Sequence, residues 1–181
     1  EASRLGQTLQ VHIAIDTGMS RVGFLPSEET IEAIKKIASL PRIEIRGIFT
    51  HFATADEKDK TFTHEQFKRF MWVCTRLENE GVHIPIRHCC NSAATLEMPQ
   101  YHLDMVRPGI IQYGCAPSPD VSLEGFDFRP VMSLRCCAAH IKLIDKGATV
   151  SYGRHFTCDQ RRKIAVLPVG YADGYMRILS G

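Results

Sequence analysis

The feature that most constrains this chain is a recurring unit: a short apolar, β-branched run that stops at a polar cluster and is followed by residues at helical spacing. Residues 11–15 form such a run and stop at Asp16-Thr17-Gly18. Pro26-Ser27 then opens a helix on which Ile31, Ile34, Ile37 and Ala38 fall at helical spacing, with Glu28, Glu29 and Glu32 early and Lys35 and Lys36 late, as the helix dipole favours. Residues 43–49 repeat the pattern and end in Thr50-His51-Phe52-Ala53-Thr54. Thr63 and Gln66 match a capping box that opens a second helix, carrying Phe67, Phe70, Met71, Cys74 and Leu77. Residues 82–86 and 103–106 predict third and fourth strands, feeding His88-Cys89-Cys90-Asn91-Ser92-Ala93-Ala94 and Arg107-Pro108-Gly109. Strands alternating with helices, and polar groups gathered after the strands, predict a parallel α/β sheet of the barrel or doubly wound kind.

The pattern changes at Pro130. Residues 131–144 are a long β-type run, Lys146-Gly147 is a turn, and residues 163–169 are another apolar strand with no helix between. A β-rich second domain is therefore expected over residues 128–181, after an α/β domain over residues 1–127, with the stretch from Pro117 to Arg129 as the link.

Composition removes several classes of function. Lys and Arg number 22 against 20 Asp and Glu, and a formal charge of +2 is too small for a nucleic-acid footprint or a polybasic membrane anchor. No apolar run approaches the length of a membrane span, and residues 1–10 lack a basic region followed by an apolar stretch. The seven cysteines include the adjacent pairs Cys89-Cys90 and Cys136-Cys137, where a local disulfide would be badly strained, so they read as reduced thiols in a cytoplasmic protein. With no initiator Met, and a first strand that starts about ten residues in, the chain reads as an internal fragment.

The polar clusters are where chemistry would sit. Asn91-Ser92-Ala93-Ala94 after a strand offers a hydroxyl and unpaired amides at a helix start, suited to a phosphate, and Gly109-Ile110 adds amides from the neighbouring strand end; an ordinary N-cap and turn are the plain alternative. His51, among Thr50, Thr54, Asp56 and Glu57, suits a general base, a metal ligand, an orienting group or a structural role. No Cys and His spacing supports a zinc site with His88 and Cys89. Arg107 keeps its proton near neutral pH, so any ring nitrogen facing it must accept; a salt bridge with Asp104 is the structural alternative. Arg21 suits a carboxylate or a surface ion pair, and Tyr152 a base or a buried structural phenol.

Taken together, the segments resemble the alanine racemase family, fold type III enzymes that use pyridoxal 5'-phosphate. The matching stretches are Asp16-Thr17-Gly18-Met19-Ser20-Arg21-Val22-Gly23, Thr50-His51-Phe52-Ala53-Thr54-Ala55-Asp56, Asn91-Ser92-Ala93-Ala94, Asp104-Met105-Val106-Arg107-Pro108-Gly109-Ile110, Val150-Ser151-Tyr152-Gly153 and Pro168-Val169-Gly170-Tyr171-Ala172-Asp173-Gly174. The resemblance implies the C-terminal half of a (β/α)8 TIM barrel, which binds the cofactor, followed by the start of a β domain. It implies that Ser92, Gly109 and Ile110 hold the cofactor phosphate, that Asn91 lies beside the cofactor, that Arg107 faces the pyridine nitrogen and that His51 supports Arg107. Arg21 would reach the cofactor's phenolic oxygen and the substrate carboxylate. Tyr152, delivered within a homodimer to the partner's site, would be one of two bases acting on opposite faces of Cα.

No segment resembles the strand that carries the family's other base, the lysine that holds the cofactor, so the chain alone is expected to be inactive. Ala14 stands where the family often has a carbamylated lysine bracing the arginine that matches Arg21. The expected reaction interconverts L- and D-alanine for peptidoglycan. A serine or broad-specificity racemase of the same fold, a non-catalytic pyridoxal-phosphate-binding protein and a zinc hydrolase using His51, His88 and Cys89 are the alternatives. Four parallel strands leave two edges and much of a barrel core uncovered, so residues 1–181 expressed alone are expected to fold poorly. A cooperative, monomeric thermal transition of that chain would contradict the architecture.

Overall fold

The computed structural model describes residues 2–179, which form a mixed α/β chain divided into two compact units, residues 2–131 and 132–179. In the first unit a short helix α1 (Ala2–Leu5) precedes strand β1 (Leu9–Ala14), which is followed by α2 (Glu28–Ala38), β2 (Ile43–Phe49), α3 (Thr61–Asn79), β3 (Ile86–His88) and α4 (Ser92–Glu97). The strands form a parallel sheet in the order β1-β2-β3.

Local chemistry accounts for the helices. The Ser27 hydroxyl accepts from the Thr30 N–H at 3.3 Å and caps α2, whose first turn carries Glu28 and Glu29 and whose last carries Lys35 and Lys36. Thr30, Ile31 and Ile34 form its buried face. On α3 the buried residues Thr63, Gln66, Phe70, Val73, Cys74 and Leu77 recur three or four apart, so a single stripe turns toward the sheet. These side chains join Ile13, Ile15, Ile48 and Phe52 in one core. Each fully buried aliphatic or aromatic side chain stabilises by about 1.5–3 kcal/mol, and the core continues past the carboxyl ends of the strands through Ile15, Phe52 and Cys89.

Several details differ from the sequence expectations, each for a physical reason. The helix expected to open at Thr63 begins two residues earlier, with no side-chain cap at Lys60; Thr63 and Gln66 face inward instead of capping. The strand expected over residues 82–86 lies at Ile86–His88, because Pro85 has no N–H to give to the ladder. Residues 103–106 are not a strand. Leu103 has φ 52°, which breaks extended backbone, and the segment runs beside β3 on separate hydrogen bonds, Asp104 N–H to Arg87 O and Arg107 N–H to Cys90 O.

In the second unit β4 (His140–Ile144) pairs antiparallel with β7 (Arg162–Val166), and β5 (Thr149–Val150) with β6 (Phe156–Thr157). The β-type run 131–144 is thus extended strand only where β7 gives it a partner. Among the described residues of this unit only Cys158 is buried. Chain-wide, no described helix is long and apolar enough to cross a membrane, and all seven cysteines are free.

The core of the first unit makes a direct prediction. Replacing the fully buried Ile34 by Ala should cost roughly 2–5 kcal/mol, and Ser27→Ala about 1 kcal/mol, in urea unfolding of the full-length protein. Equal costs for the two changes would show that the helix face is not core.

Candidate functional site

The site is built at the carboxyl ends of β1, β2 and β3. Arg107 lies at its centre, with an Nη donating to His88 Nδ1 at 2.6 Å and the other to Thr50 O at 2.8 Å, and its guanidinium lies 5.2 Å from the Phe49 ring centroid. His51 Nδ1 is 3.5 Å from the second Nη, the outer limit of a hydrogen bond. The arginine is therefore held at short range by His88 and Thr50 O, with His51 beside it at the longest of the three distances. Asp104 does not pair with Arg107; its carboxylate takes Arg87, 3.2 Å away.

The donor inventory decides the protonation of this chain of groups. A guanidinium only donates, so His88 Nδ1 must accept, and a neutral His88 then carries its proton on Nε2. That nitrogen lies 2.8 Å from His12 Nδ1, which must accept in turn. Burial, then the charge of Arg107 and then His12, push the His88 pKa down from 6.5 to about 4, in keeping with a neutral ring. His12 reaches His88 because the β1–β2 register shifts between Val11 and His12, setting His12 opposite Gly47. A Cβ on Gly47 would lie 2.4 Å from the His12 ring, so glycine is needed there.

Two loops complete the rim. In the first, the Asp16 carboxylate accepts from the Gly18 N–H at 3.0 Å and the Ser20 N–H at 2.9 Å. Burial opposes its ionisation, but bonds from Ser20, Gly18, Arg21 and Met19 outweigh it and hold the carboxyl below the usual range. Phe24 closes this loop by pairing with Ala14 and Asp16, presenting the exposed Arg21. In the second loop His51 is half-buried, and burial, then Arg107 and Arg21, lower its pKa.

At the end of β3, Asn91 is in extended conformation and caps α4, its Oδ1 accepting from Ala94 N–H at 3.1 Å while its Nδ2 donates to Phe52 O at 3.4 Å. The buried Ser92 hydroxyl accepts from the Gly109 N–H at 2.8 Å. A cleft of about 380 Å³ is lined by His51, Asn91, Ser92, Arg107, Gly109 and Ile110, bringing these candidates together on one surface. The N-terminal domain model of alanine racemase matches residues 1–117, and the C-terminal domain model matches residues 131–181. The chain belongs to the alanine racemase family.

It is 53% identical over 178 residues to the alanine racemase of Clostridium tetani, covering 98% of this chain and 46% of that protein. Among solved structures it is similar to the alanine racemase of Clostridium difficile 630, with 43% identity, a TM-score of 0.85 and coverage of 99% of this chain and 47% of that one. It also resembles a histidine racemase from Leuconostoc mesenteroides, with 28% identity, a TM-score of 0.77 and coverage of 97% and 46%. The chain spans about half the length of the alanine racemases it matches.

Two candidates lie off the cleft lining. Arg21 is exposed on its loop, although close enough for its charge to act on His51. Tyr152 belongs to the second unit, where its side chain is 98% exposed in a loop with left-handed backbone at Ser151 and Arg154. The zinc arrangement has no ligand set among the described residues: both His88 ring nitrogens are engaged and the Cys89 thiol donates to Tyr101 O. Sequence reasoning missed the His12–His88 pair as a support for Arg107. Gly47, opposite an apolar run that contains one histidine, was the available signal.

Because His88 titrates lower in the folded protein than its ordinary 6.5, the unfolded chain gains a proton first on acidification. Stability should be full above about pH 6.5 and fall as pH drops toward about 4. His88→Gln should shrink that slope, measured as denaturation midpoints of full-length protein across this window. An unchanged slope would mean His88 is not held neutral.

Proposed function

We propose that this chain is the cofactor-binding part of an alanine racemase that works with pyridoxal 5'-phosphate and interconverts L- and D-alanine, supplying D-alanine for peptidoglycan. The observation that carries the reading is the shared cleft of His51, Asn91, Ser92, Arg107, Gly109 and Ile110. The donor set suits a phosphate: the Gly109 N–H donates to Ser92 Oγ at 2.8 Å and so orients the hydroxyl, whose own O–H can donate, and Ile110 starts a 3-10 turn whose first N–H has no acceptor within the turn. Arg107 suits a pyridine nitrogen that must stay unprotonated, since His88 and Thr50 O hold its guanidinium and it has no proton to give up near neutral pH. Bound there, the cofactor would supply an electron sink that acidifies the Cα–H of an amino acid.

This chain's residues then divide the remaining work. Arg21 binds the substrate carboxylate. Tyr152, acting in the partner subunit's site of a homodimer, takes the proton from Cα on one face, and a lysine carried outside this chain returns one to the other. The outward presentation of Tyr152 supports that arrangement. The 181-residue chain alone would then have no turnover. The free thiols support a cytoplasmic setting. The likeness to a histidine racemase keeps a larger amino acid, serine included, as the second reading.

The test is racemisation of alanine, serine and histidine by the full-length protein, together with spectral titration by pyridoxal phosphate. Alanine should be turned over fastest, and a visible absorption band should grow to saturation. Tyr152→Phe should leave that titration unchanged but slow Cα proton exchange of one alanine enantiomer in deuterated water by about 10²–10⁴-fold relative to the other. Equal loss for both enantiomers would contradict the assignment to Tyr152.

A further inference from the structure

Gln66 is fully buried on α3, at 0% exposure, yet every polar atom of its amide is in use. Its Oε1 accepts from the Ala53 N–H at 2.8 Å. Its Nε2 donates to His51 O at 3.1 Å and to the Thr17 hydroxyl at 3.2 Å. The Thr17 hydroxyl in turn bonds the Thr50 hydroxyl at 2.7 Å, and both threonines are buried. One amide therefore joins the loop after β1, which carries Arg21, to the loop after β2, which carries His51. A second α3 residue acts on the first loop alone: Arg69 donates to Thr17 O at 3.0 Å.

A buried amide that satisfies three groups on two chain segments is costly to replace, because any apolar substitute leaves those groups unpaired in a dry interior. The bonds also fix geometry. Apart from Gln66, the Thr17–Thr50 hydroxyl bond links the loops at their bases, the Asp16 turn shapes the first and the Arg107 contact with Thr50 O holds the second. Gln66 is the α3 side chain that bonds both, and it reaches past that link to His51 O and the Ala53 N–H.

We infer that Gln66 is a positioning residue that sets the spacing between the Arg21 loop and the His51 loop, and with it the space in which an amino-acid carboxylate meets the cofactor ring. The inference rests on the reading of the cleft given under the proposed function. Gln66 does not line the cleft; it acts through the backbone of His51 and Ala53 and the hydroxyl of Thr17.

The experiment compares Gln66→Met, which keeps bulk and loses all three bonds, with Gln66→Glu, in the full-length protein. In Gln66→Met, amide hydrogen exchange in both segments, residues 17–21 and 50–54, should speed up at least about tenfold before the cofactor is added, with the rest of α3 unchanged. The KM for alanine should rise about ten- to a hundredfold, and more than kcat falls. In Gln66→Glu the protonated carboxyl can still accept from Ala53 and donate to His51 O. The ionised form keeps the Ala53 bond and can accept from the Thr17 hydroxyl, but it has nothing to give His51 O. The ionisable residues bonded into this cluster are His51, through its carbonyl, Arg69, through Thr17 O, and Arg107, through Thr50 O. Measured as a ratio to wild type at each pH, KM for Gln66→Glu should thus approach unity on acidification and rise as the carboxyl ionises.

Exchange that speeds up in only one segment or in neither, or a lowered melting temperature with KM unchanged, would make Gln66 a packing residue and overturn the inference. If Gln66→Met does not fold, the Glu variant decides: a KM ratio independent of pH overturns it. A wild-type protein that racemises no amino acid, with both loops still loosened by Gln66→Met, would instead overturn the proposed function and leave the tie between the loops standing.

Discussion

Arg107 can donate hydrogen bonds but cannot accept them, and much of the first unit is arranged around that one-sidedness. Because it donates a hydrogen bond to His88 Nδ1, His88 must hold its own proton on the far nitrogen and donate that N–H toward His12. For His12 to be there, β1 must slip one residue against β2, and β2 must have glycine where the imidazole crosses it. A register choice in the sheet and the protonation of a group at the cleft are thus two ends of one constraint. A one-residue slip elsewhere in a sheet would exchange inner and outer faces; here the irregularity is local, and Ile13 and Ile15 beyond it stay in the core.

The site is built directly on the core, since Phe52 and Ala93 belong to both, and α3 serves both. Phe70, Val73 and Leu77 bury its lower face against the sheet, which makes the helix a rigid support. One turn nearer the strand ends the same stripe changes from apolar to polar at Thr63 and Gln66. Thr63 bonds the Thr54 hydroxyl and Gln66 bonds the loops beside the cleft, so the stripe that supplies hydrophobic stabilisation also fixes the residues from 50 to 54. The free energy of packing is in this way converted into placement of His51.

Local chemistry was legible in the sequence where it depended on neighbours in the chain. Ser27 caps α2 and Asn91 caps α4, as their positions before helical runs indicated, and the residues picked out at 51, 91, 92, 107, 109 and 110 line one cleft. What failed was non-local. Thr63 and Gln66 carry the residue types of a capping box, but a buried tie between loops uses the same donors and acceptors, and spacing cannot tell the two apart. His88 and His12 lie far apart in the chain, and only the β1–β2 register brings their rings together. The strand misplaced at 82–86 was a failure of weighting, since Pro85 was visible and its missing N–H argues against a paired strand there.

The two units differ in how firmly they can hold a reacting group. Arg107 sits among bonds to His88 and Thr50 on a unit with a continuous core, so its guanidinium has little freedom. Tyr152 is 98% exposed on a unit whose described residues bury only Cys158, with Ile141, Leu143 and Phe156 largely uncovered. A proton transfer at carbon needs its base held to a fraction of an ångström, and the bonds within this loop, Arg154 N–H to Ser151 O and Arg154 Nε to the Thr149 hydroxyl, leave the Tyr152 side chain uncovered. The chain spans about half the length of the racemases it matches, so in the proposed reaction that precision has to come from surfaces outside these residues, supplied by the rest of the full-length protein as well as by the partner subunit that would receive Tyr152.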